Sequence, residues 1–240
     1  MPFLCPLCRQ AETTFFLQDG SAVYWRCPFC EATCLDPAHL PSADAEYARY
    51  CEHDNSPEHP GYRKFLNKLA QPLLQRLPAQ QAGLDYGCGP GPVLAMLLRE
   101  AGHTVQLYDP FFAPHPEVLQ KRYAFITCTE VVEHFHRPYE EFAFLDRLLR
   151  PGGILGIMTS FQTQDDRFGH WSYRRDPTHV TFYKEATFWR LAEIFGWRCE
   201  IPRKNVVFMY KSASSQGATS GVHWPPKDAR PKHSQHKETP

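Results

Sequence analysis

The stretch "LDYGCGPGPV", Leu84–Val93, sets Gly87, Gly89 and Gly91 between a strand-like run and the helix-like "VLAMLLREAG". Glycine admits backbone conformations closed to other residues and lets the chain pass close to a ligand; the amino end of the helix that follows offers unpaired N–H groups. The stretch therefore reads as strand, ligand loop, helix. Its spacing is GxGxG, whereas the dinucleotide fingerprint wants GxGxxG, and the Lys-Ser/Thr of a phosphate-gripping loop is absent. A nucleoside triphosphate is not expected there. Asp85, two residues before the first glycine, would repel a pyrophosphate but can orient water or the ammonium of an amino-acid-like ligand.

Working outward, strand and helix alternate. "TVQLYD" ends in Asp109, the position from which an acid receives ribose hydroxyls. "AFITCT", the helix "PYEEFAFLDRLLR" and the buried strand "GGILGIMTSF" follow, then the helix "EATFWRLAEIFG" and two strand-like runs, "WRCEIPR" and "VVFMYK". Such alternation predicts an α/β domain over 83–211, with parallel strands, crossover helices and ligands beyond the carboxyl ends of the strands.

The segments "LDYGCGPG", "VQLYD", "FITCTEVVEHF" and "LLRPGGILGIMTS" resemble the successive motifs of class I S-adenosylmethionine-dependent methyltransferases, over about residues 60–210. The resemblance implies a Rossmann-like sheet with helices on both faces. It also implies that Asp85, Gly87, Cys88 and Gly89 hold the methionine part, with Gly91 in the same loop, that Asp109 holds the ribose, and that Thr129 and Glu130 flank the cofactor. The chain departs from the family pattern twice. Only fourteen residues, Pro110 to Tyr123, separate Asp109 from the next strand, too few for a helix and a third strand, so no adenine contact is assigned. The aspartate that usually opens the fourth strand is Ala124.

"CTEVVEHFH", Cys128–His136, concentrates two glutamates and two histidines at the end of that strand. A helical turn here would put Glu130, Glu133 and His134 on one face, at i, i+3 and i+4, with His136 elsewhere. The loop "QTQDDRFGHWSYRRDPTHVTFYKE" is long for a connector and carries His179, which can fold back over the site. Its Trp171, Tyr173, Arg174 and Arg175 would shape an anionic or aromatic substrate site or form a solvated face. Glu130, Glu133, His134 and His179 are similar to the metal ligands of small-RNA 2′-O-methyltransferases and of ubiquinone-pathway O-methyltransferases, which implies a Mg²⁺ or Mn²⁺ ion activating a hydroxyl. Without an ion, His134 or His179 would serve as general base, or the glutamates would only favour a helix amino end.

Near the start, "CPLC" and "CPFC" place Cys5, Cys8, Cys27 and Cys30 as two knuckles around a hairpin turning at Asp19-Gly20. Four thiolates suit a tetrahedral Zn²⁺, and a hairpin this small has no core without one. Residues 1–40 are thus expected to be a structural zinc ribbon. Nine cysteines, an odd number in a large chain, fit thiols and metal ligation better than disulfides. Residues 41–82 read as a helical connection, in which Pro72 should kink or split the helix "GYRKFLNKLAQPLLQRL". Residues 212–240 read as a disordered tail.

The 26 basic and 26 acidic residues cancel, leaving no global field for nucleic acid or membrane. The ribbon carries two basic side chains against four acidic ones, which disfavours phosphate, although Phe15, Phe16, Tyr24 and Trp25 offer stacking surfaces. No apolar run approaches a membrane span and the start lacks signal-peptide features, so a cytoplasmic protein is expected. The leading expectation is an enzyme that methylates a hydroxyl of a small molecule. An RNA base or ribose methyltransferase contacting its substrate through the ribbon is the alternative, and a non-catalytic cofactor-binding adaptor is the rival class.

Overall fold

The structure, a computed structural model, describes residues 1–52 and 60–213. It begins with strands β1 (Thr14–Asp19), β2 (Ala22–Arg26) and β3 (Thr33–Leu35), antiparallel in that order. Helices α1 (Ala43–Tyr50) and α2 (Pro60–Leu74) lead into the main domain. Pro72 neither splits α2 nor ends it. The proline falls in the last turn, so its missing N–H leaves only the Lys68 carbonyl, one turn back, without its helical bond, and the helix ends two residues later. The carbonyl of Pro72 accepts a hydrogen bond from Arg76 Nη1 at 2.6 Å, closing that end.

The main domain runs β4 (Ala82–Tyr86), α3 (Val93–Glu100), β5 (Thr104–Tyr108), β6 (Tyr123–Thr129), α4 (Pro138–Leu148), β7 (Leu149–Met158), β8 (Thr181–Phe182), α5 (Glu185–Phe195), β9 (Trp197–Arg203) and β10 (Val206–Lys211). A six-stranded sheet has the order β5-β4-β6-β7-β10-β9. The first four strands are parallel, and β10 closes the sheet antiparallel to β7 and β9.

Side-chain alternation in the central strands builds a core on each face. Phe125, Ile154, Met158 and Phe208 point to α2 and α3, where Leu66, Leu69, Leu73 and Leu94 meet them. Ile126, Cys128, Leu155, Ile157 and Val207 point the other way, to Phe142 and Leu145 of α4 and to Phe188 and Leu191 of α5. Strands covered on both faces read as continuous apolar runs, as β6 and β7 do. Between β5 and β6 the chain forms only a short helical turn, Pro116–Gln120, and no third strand, so β5 is the sheet edge.

The ribbon is not a separate bead. Strand β8, from the loop after β7, pairs with β3 and becomes the fourth strand of the ribbon sheet. Tyr24 packs edge-on against Phe168 and Phe182, and Phe16 against Phe168. Three of the four aromatics that offered stacking surfaces (Phe16, Tyr24 and Trp25) are thereby buried or half-buried at this junction or within the ribbon, and Phe15 stays exposed. The predicted tail lies outside the described residues beyond Ala213. Among the described residues no helix is long and apolar enough to cross a membrane.

Candidate active site

At the carboxyl ends of β4, β5 and β6 lies a cavity of about 1070 Å³. Small-molecule sites span roughly 300–1,000 Å³, so this one has room for a cofactor and a second small ligand. Its floor is the glycine loop. Gly87 has φ of +76°, and a Cβ there would come within 2.5 Å of Val131 Cγ2, so both conformation and space require glycine. Gly89 is also left-handed, with φ of +62°.

Asp109 pins this loop. Its Oδ2 accepts from the Gly89 N–H at 3.0 Å, and its Oδ1 from the N–H groups of Phe111 and Phe112 at 2.8 and 3.0 Å. Asp85 is buried beneath the loop and receives the Thr127 hydroxyl at 2.8 Å. Burial pushes its carboxyl up to about 6. Cys88, Gly91, Thr129 and Glu130 also line the cavity, so every residue expected at the cofactor borders it.

The expected helical turn over the acidic stretch is replaced. Glu130 takes a left-handed conformation, φ +52°, with its N–H on the Met158 carbonyl at 2.8 Å, and Val132–His134 forms a single 3-10 turn. This break separates Glu130 from its neighbours. One donor atom each of Glu133, His134 and His179 lie within 4.8 Å of one another, and Glu130 stands outside that cluster. Glu133 also does not face the cavity as its position in the stretch suggested; it is fully buried behind the wall.

Both histidines are oriented the same way. His134 Nδ1 lies 2.9 Å from the Thr178 carbonyl oxygen and His179 Nδ1 lies 2.6 Å from that of Tyr173. A carbonyl only accepts, so each Nδ1 carries a proton, and in the neutral ring Nε2 then has the lone pair, the tautomer that suits a metal or an incoming proton. Glu133 Oε1 accepts from the Tyr173 hydroxyl, and Oε2 is enclosed without a partner among the described residues. Burial raises the carboxyl of Glu133, and burial and then the charge of Glu133 raise that of Glu130, to about 9. The buried Glu133, with the second acid Glu130 near enough to feel its charge, makes a site that favours an added positive charge.

Helix α1 roofs this end, which no motif in the sequence indicated. Tyr50 stands edge-on to His134, Arg49 Nε pairs with Asp176 at 2.9 Å, and Tyr47 lies over Phe111 and Phe112. The buried Glu46 lies 2.9 Å from His136 Nε2, and His136 stands away from the cluster. Near β4, the Tyr86 hydroxyl donates to Glu141 at 2.8 Å on another wall of the same cavity. Trp171 and Tyr173 line the cavity, whereas Arg174 is drawn into the ribbon junction by the Tyr24 hydroxyl and Asp19.

At the ribbon all four cysteine side chains are buried, with Sγ–Sγ distances of 3.7 Å for Cys5–Cys30 and 3.5 Å for Cys8–Cys27. A tetrahedral ion with metal–sulfur bonds of about 2.3 Å requires edges of about 3.8 Å, so the four cysteines could hold a metal ion.

The family described as "Methyltransferase domain" matches residues 59–200. A ubiquinone biosynthesis O-methyltransferase from Serratia proteamaculans (strain 568) is 31% identical over 86 residues, 36% of this chain and 36% of that one. The chain thus spans about a third of the length of that curated relative. Among solved structures, an O-methyltransferase family protein from Burkholderia thailandensis matches at 16% identity and a TM-score of 0.47, over 74% of this chain and 66% of that one. The 1,6-didemethyltoxoflavin-N1-methyltransferase of the same organism matches at 19% identity and a TM-score of 0.44, over 84% of this chain and 100% of that one.

Proposed function

The chain belongs to the methyltransferase-domain family, and on that premise we propose that it transfers the methyl group of S-adenosylmethionine to a hydroxyl of a small molecule held at the His134 and His179 end of the cavity, in front of the buried Glu133. One observation carries the choice of a hydroxyl: two imidazoles with their lone pairs on Nε2 meet a buried carboxylate whose second oxygen has no partner among the described residues. Such a group takes a proton or holds a cation. An amine acceptor attacking as the free base has less need of it.

In this reading the glycine loop, pinned by Asp109, cradles the cofactor, and Asp85 meets its ammonium. The acceptor oxygen attacks the methyl carbon in line with the carbon–sulfur bond, and the bonding pair leaves with sulfur to give S-adenosylhomocysteine. The hydroxyl proton passes to Nε2 of His134 or His179. Methyl transfer mainly requires alignment, which the aromatic wall of Tyr50, Trp171 and Tyr173 supplies by excluding water and fixing the acceptor.

The cluster also fits a divalent cation. Glu133, His134 and His179 form a mixed oxygen and nitrogen set suited to Mg²⁺, Mn²⁺ or similar ions. When bound, such an ion lowers the pKa of a hydroxyl that reaches it. The ribbon cysteines are read as a structural Zn²⁺ site. RNA is the second reading, and the net acidic ribbon, with most of its aromatics turned inward, speaks against it.

The test is direct. Calorimetry should show binding of S-adenosylhomocysteine to the intact chain, and Mn²⁺ should bind with an affinity that falls as pH is lowered, since its ligands must be deprotonated. Glu133→Ala and His179→Ala should each weaken Mn²⁺ at least tenfold and change the cofactor affinity less than threefold. Absence of S-adenosylhomocysteine binding would sink the methyltransferase reading. Unchanged Mn²⁺ affinity in both variants would remove the ion from the cluster.

A further inference from the structure

We propose that the cysteine ribbon is a positioning clamp on the catalytic turn, its third strand holding Glu133 and His179 in register through the backbone of Val180. This rests on the reading above that Glu133 and His179 serve the acceptor.

The connection is made of consecutive bonds. The Leu35 N–H, at the end of β3, donates to the Val180 carbonyl at 2.8 Å, and the Val180 N–H donates to the Glu133 carbonyl at 2.9 Å. Val180 thus has one side of its backbone on the ribbon and the other on the acidic turn. His179 is the preceding residue. The next residues extend the seam: Thr181 lies opposite Cys34 and Phe182 opposite Thr33 in the β3–β8 pairing. From the same short segment the Thr181 hydroxyl donates to the Phe135 carbonyl at 3.1 Å, and the Tyr183 hydroxyl to the Val132 carbonyl at 2.7 Å. The carbonyls of Val132, Glu133 and Phe135 are therefore all fastened to the segment 180–183, which follows directly on His179.

A two-residue strand has too few ladder bonds to hold itself, and β3 supplies its only strand pairing among the described residues. Strand β3 begins three residues after Cys30 and includes Cys34, whose side chain packs in one cluster with the four ribbon cysteines. Side-chain ties brace the seam: Thr33 Oγ1 to Gln162 Oε1 at 2.8 Å, Arg26 to Asp165 at 2.9 Å and Lys184 to Glu31 at 3.3 Å. The cofactor loop, by contrast, is carried by β4 and β5. The clamp should therefore act on the acceptor end and leave cofactor binding largely alone.

Leu35→Pro removes the one N–H that meets Val180 and keeps all four cysteines; Leu35→Val keeps the N–H. In the full chain, Leu35→Pro should retain its zinc content and bind S-adenosylhomocysteine within threefold of wild type. Its amides at 179–182 should exchange hydrogen at least tenfold faster, and the His179 imidazole resonance should shift or broaden. Leu35→Val should match wild type in every measurement. Should Leu35→Pro not fold, Thr181→Val, which deletes only the hydroxyl bond to Phe135, is read in the same assays, with at least threefold faster exchange expected. Wild-type exchange and an unmoved His179 signal in the variant that folds would overturn the clamp. So would loss of S-adenosylhomocysteine binding together with protection, since the ribbon would then support the whole domain and not the turn. If the wild-type chain fails to bind S-adenosylhomocysteine, the methyltransferase reading falls, while hydrogen exchange still decides the clamp.

Discussion

Glu130 shows how one residue departs from what its neighbours suggest. Its place after β6 was legible from strand topology, and its left-handed backbone was not, because that conformation is imposed by the Met158 carbonyl across the sheet. The groups around it are Glu133 on its own segment, Tyr173 from the loop, and Lys68 and Tyr62 from α2. Burial dominates, so its carboxyl holds a proton up to about pH 9 in the folded chain and releases it in the ordinary carboxyl range when unfolded. The native state then binds more protons across that window, and stability falls as pH rises through it, by up to about 1.4 kcal/mol per pH unit. Glu130→Gln should flatten this slope, with little effect at pH 4 and a clear gain in melting temperature at pH 8. Thermal unfolding of both proteins across that range checks it, and parallel profiles would refute the assignment.

At the scale of elements, the periodic segments were the readable part. The β4–loop–α3 unit, β6, α4, β7 and α5 follow from apolar runs and helical spacing that local sterics and burial enforce. Helix α2 was legible apart from the effect of Pro72, which depends on where the helix ends. In a helix interior proline costs roughly 3 kcal/mol by removing an N–H and crowding the carbonyl four residues back, and at Pro72 both effects fall on Lys68. Pro72→Ala should therefore stabilise the chain by about 1–2 kcal/mol in urea unfolding, the regained bond outweighing the freer unfolded chain. Helix α1 gave a weaker signal: its residues read as a polar connection, yet its docking over His134 and Phe111 makes it the roof of the site. Nothing in a short amphipathic segment states which cavity it will cover.

For the whole molecule, the junction between ribbon and main domain is the feature with the largest consequences. The ribbon shares a sheet with β8 and a core cluster with α4 and α5, so metal loss should not stay local. Cys27→Ser should abolish zinc retention and lower the melting temperature by roughly 5–10 °C, since a few kcal/mol shifts a chain of this size by about 2–4 °C each. Metal analysis beside calorimetry tests this, and an unchanged melting temperature in the zinc-free variant would show that the ribbon is independent after all.

By itself the sequence determined the sheet, the glycine loop and the fourfold cysteine cluster, whereas Asp109's hold on Gly89 came from the structure. Each of the three is encoded by local rules: strand and helix periodicity, the conformations only glycine adopts, and the spacing of cysteines in two knuckles. Tertiary structure alone decided that Glu133 retreats behind the wall while His134 and His179 close on it, that α1 covers them, and that the ribbon grips the same turn. Those outcomes come from contacts between residues such as Leu35, Val180 and Glu133. Far apart in the chain, they are joined by backbone hydrogen bonds that carry no side-chain signature.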